Sequence, residues 1–72
     1  MIFISNIKML MNKKKITAKQ IEATTGISSR TLAKARTDEG ILECRLSTLI
    51  RIADALEVDV KLLFEKVDEG QI

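Results

Sequence analysis

The chain has 72 residues, 46% hydrophobic and 31% charged, with one Cys and no His. This is the composition of a small folded domain rather than a disordered tail, and it excludes His-dependent nucleophilic triads and makes a Cys/His zinc cluster untenable. The formal net charge of +2 hides a split: residues 1–36 carry eight Lys or Arg against Glu22 alone, and residues 37–72 carry four against nine Asp or Glu.

Apolar residues recur at three- and four-residue spacing and Pro is absent, so the chain reads as an all-α bundle with short connections. A first helix is predicted over about Asn6 to Lys14, with Ile7 and Leu10 inward and Lys13-Lys14-Lys15 at the negative end of its dipole. Met9 and Met11 flank Leu10 as core filler. Thr17-Ala18-Lys19-Gln20 is a capping box that opens a second helix, about Ala18 to Thr25, with Ile21 inward and Gly26 at its left-handed end. Ile27 plugs the junction, and Ser28 caps a third helix over about Ser29 to Arg36. There Leu32 and Ala35 point inward, Ser29, Arg30, Ala33 and Lys34 outward, and Thr31 lies at the edge.

Thr37 to Glu43 reads as a loop, with at least one of Ile41 and Leu42 in the core. A fourth helix is expected over about Arg45 to Leu56, carrying Leu46, Leu49, Ile52, Ala53 and Leu56 on one stripe. Cys44 reads as a small half-buried residue near its start. Asp59 caps a fifth helix, about Val60 to Glu65, with Leu63 and Phe64. Residues 66–72 read as a frayed tail, and Phe3 and Ile4 as a cover for one end of the bundle or a dimer contact.

Two short helices around a Gly-containing turn, the second opened by Ser, form the helix-turn-helix pattern at Thr17 to Arg36. Ile52-Ala53-Asp54-Ala55-Leu56, then Val58 and Leu63-Phe64, together with Ile7, Leu10 and Ile16, extend the resemblance. The chain is similar to the Cro- and lambda-repressor-type (XRE-like) helix-turn-helix family over about residues 5–65. The resemblance implies a five-helix, lambda-repressor-like fold in a single domain over residues 1–72. It also implies a regulator of the kind common in phage genetic switches.

Departures from the family pattern carry information too. Operator binders commonly place Gln first in the second helix, where it touches the DNA backbone; Ala18 stands there. Glu22 replaces a preferred Ala, and Glu57 a preferred Gly. The loop after the third helix carries Asp38, Glu39 and Glu43, which would repel phosphate if they lay against it, although a solvated loop pointing away is an equal alternative.

Two functions follow from these residues. In the first, the chain resembles the modulator-of-repression class of temperate phages and acts as an antirepressor in the lysis/lysogeny switch. It would bind a repressor's N-terminal DNA-binding domain through Ser28, Ser29, Arg30, Lys34, Asp38, Glu39, Ile41, Leu42 and Glu43, with Arg–carboxylate pairs around an apolar centre. In the alternative, it is a Cro-like repressor that reads an operator. Ser28, Ser29, Arg30, Thr31 and Lys34 would lie at the groove, and Lys13, Lys14, Lys15, Thr17 and Lys19 would serve the phosphates. Neither reading calls for catalysis, a cofactor, a metal or a small-molecule ligand. Phe3 and Phe64, the two aromatics, are too few for base-stacking modes. A lone Cys44 fits a reducing bacterial cytoplasm, and no apolar run approaches the roughly 20 residues that span a bilayer.

Overall fold

The computed structural model describes residues 2–67. Five α-helices and a two-stranded sheet are present among them, in the order β1 (Ile2–Ser5), α1 (Ile7–Lys14), α2 (Ala18–Thr25), α3 (Ser29–Ala35), α4 (Asp38–Ile41), α5 (Leu46–Leu56) and β2 (Phe64–Val67). A 3-10 turn, Val60–Leu63, leads into β2.

The amphipathic helix α5 is the hub of the core. Leu49, Ile52, Ala53 and Leu56 are buried on one face, where they join Ile7, Leu10 and Met11 of α1, Ile21 of α2, Leu32 and Ala35 of α3, Ile41 of α4 and Leu63. Ile27 fills the α2–α3 junction from the turn. No buried polar or charged residue interrupts this cluster among the described residues. Of the two methionines beside Leu10, Met11 is core, and Met9 is exposed.

Local chemistry sets the helix boundaries. The Thr17 hydroxyl accepts from Gln20 N–H (3.2 Å), and the Gln20 carbonyl Oε1 accepts from Thr17 N–H (2.7 Å), closing the capping box. Gly26 ends α2 at φ 75°. Among the described residues two positions adopt the left-handed conformation without being glycine: Lys15 (φ 57°) ends α1, and Glu57 (φ 58°) ends α5.

The structure also corrects the sequence reading along the chain. Thr37 to Glu43 is not a loop, because Thr37 caps the short helix α4 by accepting from Gly40 N–H (2.9 Å). Leu46 does not join the buried stripe but is 62% exposed at the start of α5. The helix expected over Val60 to Glu65 is a 3-10 turn that passes directly into β2. Lys66 and Val67 therefore belong to a strand rather than a frayed tail, while the fraying expected for Asp68 to Ile72 lies outside the described residues.

β1 and β2 pair antiparallel, Ile2 with Val67 and Ser5 with Phe64, and the Phe3 and Phe64 rings lie 6.4 Å apart in a tilted arrangement. The strands come from opposite ends of the described chain, so neither has a local partner that a sequence pattern would reveal. The domain is thus mostly helical, but it is not all-α.

The left-handed backbone at Glu57 predicts a stabilising substitution. Glu57→Gly removes a side chain from a conformation that disfavours Cβ and should raise unfolding free energy by about 0.5–1 kcal/mol in urea denaturation.

Candidate nucleic-acid interface

The α2–turn–α3 unit is built from small hydrogen bonds. Gly26 N–H donates to the Glu22 carbonyl (2.9 Å), and the Thr25 hydroxyl donates to the Ile21 carbonyl (2.6 Å) while accepting from Ile27 N–H (3.1 Å). The turn is therefore held at both sides of Gly26, with Ile27 buried beneath it. Ser28 caps α3 by accepting from Thr31 N–H (3.2 Å), and its hydroxyl lies 3.0 Å from that of Thr31. Leu32 and Ala35 lock α3 to the core.

The exposed face of α3 therefore consists of Ser29, Arg30, Ala33 and Lys34. The hydroxyls of Ser28 and Thr31 are engaged with each other and with the helix start, and Thr31 is half-buried. Thr17 is likewise committed to its capping box. Lys13, Lys14, Lys15 and Lys19 are exposed on either side of the tight α1–α2 connection, which is closed by donation from Ile16 N–H to the Met11 carbonyl (3.0 Å).

The acidic segment is arranged differently from the sequence expectation. Asp38 Oδ1 accepts from the backbone N–H of Ser5 (2.8 Å), and Ser5 Oγ donates to the Ala35 carbonyl (2.7 Å). One strand residue thus ties the end of α3 to the start of α4. Ile41 is 4% exposed and belongs to the core, so it offers no contact surface. Glu43 pairs with Lys34, Oε2 to Nζ at 3.0 Å. Of the acidic and apolar residues grouped there, Glu39 and Leu42 project without an intramolecular polar or core role among the described residues, Leu42 being 59% exposed. Sequence reasoning had no signal for the Ser5–Asp38 bond, because its partners are 33 positions apart.

Cys44 is half-buried, and its thiol donates to the Gly40 carbonyl (3.4 Å). Burial pushes that thiol above its ordinary pKa; the Lys34 ammonium opposes the shift and Glu43 adds to it. The shift favours the protonated thiol over the thiolate. Among the described residues no cluster of three or more His, Cys, Asp or Glu has metal-binding geometry, and no helix is long and apolar enough to cross a membrane.

The profile of the Cro/C1-type HTH DNA-binding domain matches residues 6–69. The chain belongs to this family. The match spans α1 through β2, so it takes in the capped helix pair together with the α5 core that supports it. Comparison with curated proteins gives no match, and neither does comparison with solved structures. Membership supports a DNA-binding regulator and lends nothing to contact with a repressor protein.

The role of Asp38 is open to a direct measurement. If its carboxylate serves the Ser5 N–H, Asp38→Ala should lower unfolding free energy by about 1–2 kcal/mol in urea denaturation, and Asp38→Asn, which retains an acceptor oxygen, by less.

Proposed function

We propose that this chain is a Cro-like, DNA-binding transcriptional regulator that sets the exposed face of α3 in the major groove. The observation carrying the proposal is the capped helix pair, whose outward residues on α3 are Ser29, Arg30, Ala33 and Lys34. Family membership supports the same reading.

The chemistry assigns each group a role. Arg30 is the long donor nearest the start of α3, the part of such a helix that meets base edges, and its guanidinium suits the O6 and N7 acceptors of guanine. Ser29 offers a short hydroxyl to a base or a phosphate. Lys13, Lys14, Lys15 and Lys19 supply cations to the phosphates, where most affinity arises from counterion release. Ala18 supplies no side-chain donor at the head of α2. Thr17, Ser28 and Thr31 act chiefly by fixing the two helix starts.

The antirepressor reading has less behind it. Ile41 is buried, Asp38 is bound to Ser5 and Glu43 is paired with Lys34, which leaves Glu39 and Leu42 as the unengaged elements of that segment among the described residues. Both readings draw on the exposed face of α3, and the family match favours the Cro-like one.

Selection of duplexes from a random-sequence pool tests the proposal. The protein should enrich a defined site bound at least about 10³-fold more tightly than unselected DNA. Arg30→Ala should weaken that site by about 1–3 kcal/mol and relax one base position. Lys19→Ala should weaken all sequences alike and reduce the salt slope by about 1. A chain that enriches no site but forms a tight complex with a repressor's DNA-binding domain would reverse the assignment.

A further inference from the structure

Lys34 lies on the exposed face of α3, yet its ammonium is already held by a carboxylate of the same chain. Its Nζ is 3.0 Å from Glu43 Oε2, with the two side chains 49% and 66% exposed. An ion pair this open contributes little when both partners are free to wander. Here the backbones of both partners are fixed. The Lys34 carbonyl accepts from Thr37 N–H (3.1 Å) and from the Thr37 hydroxyl (2.9 Å). Glu43 N–H donates to the Gly40 carbonyl (3.0 Å).

Gly40 joins the two sites. A Cβ at this position would overlap the Lys34 carbonyl oxygen and come within 2.8 Å of Lys34 Cγ. The absence of a side chain lets α4 close onto the end of α3, so the Lys34 stem lies against it. The Lys34 head is thereby drawn toward the α4–α5 connection, where Glu43 meets it.

We infer that Glu43 is a positioning residue that acts as an internal substitute for phosphate, holding the Lys34 ammonium off the DNA until the pair opens. This rests on the DNA-binding reading above and refines it. A carboxylate and a phosphate oxygen compete for the same ammonium, and the chain supplies the carboxylate at fixed range. Arg30 then carries side-chain recognition from α3 in the resting arrangement, and Lys34 adds its charge only after exchanging Glu43 for a phosphate or a base acceptor.

The test compares Glu43→Gln with Glu39→Gln. Both change the net charge equally and lie on the same segment, but Glu39 has no ion-pair partner among the described residues. Binding to a mixed-sequence duplex of about three helical turns is titrated between about 50 and about 200 mM salt. Glu43→Gln should tighten binding about 2- to 5-fold beyond Glu39→Gln, in keeping with the strength of an exposed pair. It should also steepen the log–log salt slope by about 0.9, the signature of one further cation at a phosphate.

Lys34→Ala should weaken binding less in the wild-type chain than in the Glu43→Gln background, where it should abolish the gain. Circular dichroism on each variant confirms that the fold is retained. Equal responses to Glu43→Gln and Glu39→Gln would overturn the inference while leaving DNA binding intact, as would a loss on Lys34→Ala of the same size in both backgrounds. Absence of duplex binding by every variant at the lowest salt would overturn the DNA reading, and this inference with it.

Discussion

The apolar face of α5 is the surface on which the other helices depend. Leu49, Ile52, Ala53 and Leu56 present a continuous stripe, and the buried residues of α1, α2 and α3 converge with them in a single cluster. The described residues form a single buried cluster. The helix pair at residues 17–35 draws its packing from that cluster. Ile21 and Leu32 hold their relative placement because both end in the same dry cluster, and they are fully buried there. The geometry of the exposed α3 face is set from beneath, by residues that would never touch DNA.

The ribbon adds a second layer of control. Ser5 donates through its hydroxyl to the Ala35 carbonyl, which satisfies a backbone group at the end of α3, and through its amide to Asp38 at the start of α4. Asn6 N–H donates to the Leu63 carbonyl (2.8 Å), and the Asn6 side-chain amide reaches Glu65 Oε1 (3.1 Å). The strand at the head of the chain thus organises the far end of α3. An acidic residue that looked suited to a partner is used to brace the scaffold.

What the sequence made legible was the chemistry of near neighbours. The capping box at Thr17 and Gln20, the left-handed Gly26 and the Ser28 cap each lie within a few residues of the groups they satisfy, and all are present. The outward set on α3 followed from the 3.6-residue period. The strands were not legible, because Ile2 to Ser5 carries no signal for a partner near residue 65. Gly40 lies in the stretch that reads as a loop, but its backbone is helical and its lack of a side chain gives clearance against Lys34. The three carboxylates of the acidic segment looked equivalent in the sequence. Folding distinguishes them: Asp38 is bound to an amide, Glu43 to an ammonium, and Glu39 is exposed with no such partner among the described residues.

The β1–β2 pairing also sets a cost in chain entropy. Helices α1, α2, α3 and α5 form from contacts a few residues apart, whereas the ribbon must close a loop containing nearly the whole described chain. Closing it therefore carries the largest chain-entropy cost of any pairing among the described residues. Ser5 sits on that ribbon and bonds Ala35 and Asp38 together, so the bridge between the end of α3 and the start of α4 depends on a pairing made across the length of the described chain. The placement of the exposed helix thus answers to residues far from it in sequence.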